Sequence, residues 1–168
     1  MKISFLFVVS NRVNYHAYYH PPEYCLIGFV AKFYLDVDYF KNINDTYGHA
    51  KGDEVLVQLG ELLRNDCRDG DVVARFGGEE FVMLLPQCNA EDASRYAENL
   101  RKKISRDYKD NIKITASIGI STFESGKSGN IDSFIASADN ALLLAKGHGR
   151  DRAVLQEHQA LIRRMNFG

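Results

Sequence analysis

The sequence has no long hydrophobic run. Its apolar stretch at residues 3–9 is far shorter than the ~18 residues that a membrane span requires, and no clear small-residue cleavage site follows it. We therefore expect no membrane span in this chain. The stretch is interpreted as a buried strand or a piece of helix.

Cysteine is scarce, and charge of one sign is not in excess. The three cysteines are odd in number and their spacings fit no metal or redox motif, so a reduced, cytoplasmic chain is the simplest interpretation. The formal net charge of −1 gives no overall attraction toward nucleic acid or an anionic membrane. We expect no nucleic-acid partner, although a local cluster of cations can still bind a nucleotide.

A single domain fits the length of 168 residues, and a hydrophobic fraction of 45% is enough for a real core. The apolar patterns predict strands and helices in alternation, with a hairpin between them that argues against a purely parallel sheet. They indicate an α+β fold with a mixed central β-sheet flanked by helices. The predicted strands are 27–37, 72–76, 79–85, 112–123 and 152–155; the predicted helices are 39–47, one beginning near Asp53, and two capped by Asn89 and Asn130.

Two carboxylates, Asp36 and Asp38, come at the end of the first long apolar strand. Burying charge there is costly unless something compensates it, and a Mg²⁺ ion bound by hard oxygen ligands does so. The plainer interpretation is that Asp38 caps the helix that follows. We predict that Asp36 is a ligand and that Asp38 acts partly as the cap.

A second pair of acids, Glu79 and Glu80, directly follows Gly77-Gly78. The glycine pair can form the two-residue turn of a hairpin, and its bare backbone lets a bulky ligand approach closely. Taken alone, this motif is more typical of an ordinary surface hairpin with solvated acids. Together with Asp36, it indicates acids on neighbouring strands that can share two metal ions for nucleotidyl transfer.

These motifs resemble those of the GGDEF family of diguanylate cyclases. In the family's order the chain reads DVDYFK at 36–41, NDTYGH at 44–49, GD at 52–53, ARFGGEEF at 74–81, SIG at 117–119 and AKGHGR at 145–150. The resemblance runs from about residue 27 to 155, and GGEEF is a form that active members carry. It implies a ferredoxin-like palm of the nucleotidyl cyclase type, which condenses two GTP molecules into cyclic di-GMP and two pyrophosphates.

The resemblance also implies roles for the acids. Asp36 and Glu79 are metal ligands, with the Val37 carbonyl as a third, for two Mg²⁺ or Mn²⁺ ions per active site. Glu79 or Glu80 is the base for the attacking 3′-hydroxyl, and the sequence does not choose between them. Asn44 and Asp53 are implied as guanine readers, a sensible role because a carboxylate accepts from the N1–H and N2 amine that adenine lacks.

Further substrate contacts follow from the same resemblance. His49 lies beside the guanine readers, and the start of the first helix can hold phosphate oxygens on its free N–H groups. Lys146 and Arg150 would neutralise the β- and γ-phosphates, although cations at a helix C-terminus are also favoured by the helix dipole. The remaining substrate residues are Tyr39, Phe40, Lys41, Gly77 and Gly78.

An R-x-x-D motif, Arg68 to Asp71, precedes the hairpin. In the family such a motif at this spacing forms the inhibitory product site, where Arg68 contacts a guanine edge or phosphate and Asp71 accepts from guanine. The alternative is an ordinary charged turn between a helix and a strand.

The chain departs from the family at its start, where the usual D-x-L-T-G-L-x-N-R-R segment is only faintly present. We therefore divide the chain into an atypical N-terminal segment at 1–26, interpreted as a truncated or altered start, a catalytic domain at 27–155 and a C-terminal tail at 156–168. The resemblance implies a homodimer for catalysis and control by an upstream sensory or regulatory domain or protein. The alternative function is a non-catalytic module that binds GTP or cyclic di-GMP; a third interpretation is a poorly folding fragment.

Overall fold

The computed structural model describes residues 7–9, 28–105, 112–124 and 131–157. Within these ranges, ten elements follow one another along the chain: β1 (Phe7–Val9), β2 (Phe29–Val37), α1 (Phe40–Tyr47), α2 (His49–Asp66), β3 (Val72–Gly77), β4 (Glu80–Pro86), α3 (Ala90–Ile104), β5 (Ala116–Glu124), α4 (Ile131–Gly147) and β6 (Ala153–Glu157). The predicted order of strands and helices is confirmed. The apolar stretch near the start contributes strand β1.

The strands form one mixed sheet in the order β1-β3-β4-β2-β5-β6. All neighbouring pairs are antiparallel except β5 and β6, which are parallel. The sheet confirms the predicted α+β class with a palm-like fold, and it puts β2 at the centre, between β4 and β5.

Strand β2 is buried on both faces, as its continuous apolar run predicts. Ala31, Phe33 and Leu35 face the main core, which is built with the apolar sides of α2 and α3. Lys32 faces the opposite side, where it bonds to α4. Helices therefore cover both faces of the central strand.

Helix α4 packs directly against the backbone of β5. A Cβ added to Gly119 would lie 2.9 Å from Cα of Leu142 and closer still to the backbone of Ala138, so only glycine fits there. Ser121 on the same side of the strand donates its hydroxyl to the Phe134 carbonyl at 2.8 Å. The small residues that alternate along β5 thus form the surface on which α4 packs.

Three predicted boundaries are wrong. Helix α2 begins at His49 instead of near Asp53, because the Gly48 carbonyl already accepts from Gly52 N–H. Strand β5 begins at Ala116 instead of residue 112, because its partner β2 ends opposite Ala116 at Val37. The hairpin turn comprises residues 78–79, one position later than predicted, because a bulge before Gly77 shifts the register of β3.

The predicted cap at Asn89 is confirmed: its side chain accepts from Asp92 N–H at 2.9 Å. The cap predicted at Asn130 lies outside the described residues, as does most of the segments 1–26 and 156–168, and the three-part division of the chain stays a prediction. Among the residues described, no helix combines the length and hydrophobicity needed to span a membrane.

Candidate functional site

The two acidic motifs meet at one end of the sheet. In the register of β2 and β4, Asp36 lies directly opposite Glu80, and Val37 N–H donates to the Glu79 carbonyl at 3.3 Å. Cross-strand partners have Cβ atoms only ~5 Å apart. The fold therefore brings Asp36, Glu79 and Glu80 together, as the sequence predicts.

Asp36 is nearly buried and is bound by a cation from α4. Lys146 Nζ lies 2.8 Å from Asp36 Oδ2, so one of the two predicted phosphate-binding cations reaches the acids directly. Burial raises the pKa of Asp36, the Lys146 ammonium opposes this rise, and the charges of Glu79 and Glu80 add to it. In this protein Lys146 supplies the positive charge that the buried carboxylate needs.

Tyr34 is a site residue that the sequence analysis missed. Its hydroxyl donates to Glu80 Oε2 at 3.2 Å, and its ring contacts Phe76 edge-on, with centroids 5.6 Å apart. Burial, followed by the Glu80 charge, raises the pKa of Tyr34, which keeps the hydroxyl a donor. The only sequence signal was its position two residues before Asp36, on the same face of β2.

Asp38 is not the cap of α1. The residue at the N-cap position is Tyr39, and no side chain caps this end. The Asp38 carboxylate instead accepts from three groups distant in sequence: Thr115 Oγ1 at 2.8 Å, Ser117 Oγ at 2.7 Å and Asp151 N–H at 3.0 Å. The prediction of a cap is wrong because donors from the start of β5 and from the turn after α4 occupy this carboxylate.

The start of α1 presents backbone donors beside a cation. Tyr39 has a left-handed conformation with φ 55°, and the first turn of the helix, at Phe40 and Lys41, follows it. The Arg150 guanidinium carbon lies 4.6 Å from the centre of the Tyr39 ring. Free N–H groups at a helix N-terminus together with a guanidinium form a suitable environment for phosphate oxygens.

Asn44 on α1 and Asp53 on α2 flank the contact between these two helices. A Cβ on Gly52 would lie 3.0 Å from Asn44 Cγ and 3.1 Å from Phe40 Cζ, so the amide and the ring both pack on this glycine. Asp53 is the next residue and is exposed, as is His49 one turn earlier. The three predicted residues thus lie around the contact between α1 and α2, and Gly52 is the residue that the site prediction omitted.

Arg68 and Asp71 form a hydrogen-bonded ion pair just before the start of β3, at the end of this strand remote from Glu79. Asp71 is only 2% exposed; its Oδ2 accepts from Arg68 N–H at 2.8 Å, and its Oδ1 accepts from Arg68 Nη2 at 3.1 Å. The Arg68 side chain is half exposed. Asp71 therefore holds Arg68, and the surface available to a ligand here is the guanidinium.

The donor set at the acidic end suits a hard divalent cation. Among the described residues no group of three histidine, cysteine or acidic side chains is close enough to hold a metal alone. Mg²⁺, however, is usually held by one or two carboxylates together with substrate phosphates and water. Asp36, Glu79 and the backbone oxygen of Val37 fit that requirement, and the proximity of Lys146 to Asp36 shows that a cation is favoured there.

Comparisons with known proteins identify relatives of this arrangement. Residues 29–152 match the family model described as diguanylate cyclase, GGDEF domain. The chain is 41% identical over 133 residues to Diguanylate cyclase A of Treponema denticola, covering 74% of this chain and 34% of that protein. The chain thus spans about a third of the length of this curated relative.

Solved structures give the same result. The active GGEEF domain of a diguanylate cyclase from Vibrio cholerae superposes with a TM-score of 0.71 at 33% identity, covering 79% of this chain and 85% of that one. The GGDEF domain of DgcB from Caulobacter crescentus, in complex with c-di-GMP, gives a TM-score of 0.69 at 31% identity, with coverages of 76% and 78%. Fold and motifs therefore point to one group of proteins.

Proposed function

The chain belongs to the GGDEF family of diguanylate cyclase domains, and on that premise we propose that it condenses two GTP molecules into cyclic di-GMP and two pyrophosphates. The observation that carries the proposal is the register of the central strands, which sets Asp36 opposite Glu80. Glu79 lies in the adjoining turn, and Lys146 bonds to Asp36. Acids and a cation are thus concentrated where nucleotidyl transfer needs them.

Asp36, Glu79 and the Val37 carbonyl would hold two divalent cations, Mg²⁺ or Mn²⁺. When bound, the ions supply charge neutralisation at the α-phosphate and lower the pKa of the attacking 3′-hydroxyl. Glu79 or Glu80 accepts the proton of that hydroxyl. The Tyr34 hydrogen bond fixes the orientation of the Glu80 carboxylate.

The two ends of GTP would bind to different parts of the site. Asn44 and Asp53 read the guanine, with His49 beside them, since Asp53 can accept from the N1–H and N2 amine. The phosphates would lie against the open backbone of Gly77 and Gly78, the N–H groups at the start of α1, and Lys41. Lys146 and Arg150 would neutralise the β- and γ-phosphates as pyrophosphate leaves.

Catalysis would require two copies of the chain. Each domain holds one GTP, so cyclisation needs two domains facing each other as a homodimer. A sensory or regulatory domain or protein would control this pairing; a curated relative about three times the length of the matched region has room for one. We place the reaction in the cytoplasm, where GTP is available.

Product feedback is the second part of the proposal. Arg68 precedes β3, whereas Glu79 follows it, and the six residues of this strand separate the two by ~20 Å. Cyclic di-GMP bound at Arg68 would therefore act by holding two domains in a non-productive pairing and not by blocking GTP. The DgcB domain has been solved in complex with c-di-GMP, which supports a product site in this family.

The alternative is a non-catalytic module that binds GTP or cyclic di-GMP. The presence of Asp36, Glu79 and Glu80 together favours the enzyme, because a module that only binds has no need of a base and a metal site. The deciding experiment is incubation with Mg²⁺ and GTP and detection of cyclic di-GMP by mass spectrometry. We expect product from the wild type and none from Glu79→Gln; GTP binding without product in the wild type would establish the alternative.

A further inference from the structure

Backbone strain is concentrated at one corner of the molecule. Among the described residues, four that are not glycine have positive φ: Tyr39 at 55°, Gln87 at 53°, Arg150 at 64° and Asp151 at 45°. Such conformations are uncommon for residues with a side chain, and they persist only where the surroundings enforce them. Three of the four lie around the carboxylate of Asp38, because Tyr39 is its neighbour in the chain and Asp151 is its hydrogen-bond donor.

Asp38 is built into this corner as an acceptor. It is 4% exposed. Oδ1 accepts from Ser117, and Oδ2 accepts from Thr115 and from Asp151 N–H. Its own N–H donates to the Thr115 carbonyl at 2.9 Å. The carboxylate thus joins the end of β2, the start of β5 and the turn after α4.

The turn that carries Arg150 is held from several sides. Arg150 N–H donates to the Ala145 carbonyl at 3.0 Å, closing the end of α4. On the other side, Arg101 of α3 pairs with the Asp151 carboxylate. The bond from Asp151 N–H to Asp38 ties the turn to the end of β2, next to Tyr39. The Arg150 guanidinium carbon lies 4.6 Å from the centre of the Tyr39 ring.

We propose that Asp38 is a positioning residue that holds Arg150 for the β- and γ-phosphates of GTP. The inference rests on the proposed function, since Arg150 is assigned there to the triphosphate. Asp38 touches neither nucleotide nor metal and acts through the Arg150–Asp151 turn. Loss of its charge should therefore weaken the recognition of the terminal phosphates and leave the recognition of guanine intact.

The test is the variant Asp38→Asn, which keeps the size of the side chain and removes one strong acceptor. Binding is measured by calorimetry with Mg²⁺ and either 3′-deoxy-GTP, which lacks the attacking hydroxyl, or GMP, which lacks the β- and γ-phosphates. Because the displaced Arg150 would lose its charged contact with the terminal phosphates, we expect affinity for 3′-deoxy-GTP to fall about ten- to hundred-fold, with GMP affinity unchanged. In an Arg150→Ala background, Asp38→Asn should add little further loss.

Ser121→Ala is the matched control, because it removes another buried hydrogen bond of β5 far from the turn. It should lower the melting temperature and leave both affinities unchanged. Equal losses for the two nucleotides in Asp38→Asn, no loss at all, or full additivity with Arg150→Ala would overturn the proposal. If Asp38→Asn does not fold, Thr115→Val, which removes one donor to the carboxylate, must show the same selective loss. A wild type that binds neither nucleotide refutes the proposed function itself.

Discussion

Gly52 offers a sharp test of nucleotide recognition, because its missing side chain makes room for Asn44. In Gly52→Ala the new Cβ would lie 3.0 Å from Asn44 Cγ and 3.1 Å from Phe40 Cζ, and it would overlap the Asn44 amide oxygen. The Asn44 side chain is flexible and must turn away, whereas the buried Phe40 ring can give only a few tenths of an ångström. The substitution thus displaces a proposed guanine reader without altering it chemically.

Two opposing effects set the change in stability. Replacing glycine by alanine inside a helix stabilises by about 1 kcal/mol. Crowding a packed site costs about 1–3 kcal/mol, and here the flexible amide keeps the cost at the lower end. The melting temperature should therefore change little. Loss of the proposed hydrogen bond between Asn44 and guanine, a neutral bond worth about 0.5–1.5 kcal/mol, should raise the KM for GTP about two- to tenfold.

Gly60 in the same helix gives the matched control. A Cβ there would lie 3.8 Å from Phe81 Cε1, an ordinary contact, so Gly60→Ala gains helix propensity without touching the site. It should raise the melting temperature by about 2–4 °C with KM unchanged. The assays are cyclic di-GMP formation against GTP concentration and thermal unfolding followed by circular dichroism. An unchanged KM in both Gly52→Ala and Asn44→Ala would refute the assignment of Asn44 to guanine.

Three further predictions concern the acids, the dimer and feedback. Burial raises the pKa of Asp36 in the folded state above its pKa in the unfolded chain. The ionised carboxylate therefore lowers the free energy of unfolding above the folded-state pKa, and this destabilisation disappears as the pH falls through the pKa of the unfolded chain. Asp36→Asn should therefore abolish synthesis yet raise the neutral-pH melting temperature, with the difference shrinking on acidification; a variant less stable than wild type at neutral pH contradicts this. Specific activity should fall on dilution below the dimer dissociation constant, measured beside sedimentation; constant activity from a proven monomer would rule out the two-copy mechanism. Arg68→Ala should raise the inhibition constant for cyclic di-GMP about ten- to hundred-fold with basal activity retained, and overlapping inhibition curves would remove the regulatory site.

Much of the fold could be predicted because local signals in the chain agree with one another. The continuous apolar run of β2 and the cap at Asn89 depend on neighbours within a few residues. Two of the three boundaries that failed depend on a partner strand or on the geometry of a turn. Strand β5, for example, starts where β2 stops, which its own alternating pattern does not indicate.

The sequence by itself identified the candidate site residues: the acids at 36, 79 and 80, the motif at 44–53 and the cations at 146 and 150 stand in the order of the family's motifs. Only the tertiary structure decided what these groups contact. Lys146 pairs with Asp36, Tyr34 bonds to Glu80, and Asp38 accepts from residues 77 to 113 positions away instead of capping α1. The physical reason is that helix and strand periodicity operate over a few residues, whereas the order and register of the strands determine which distant side chains share one buried corner.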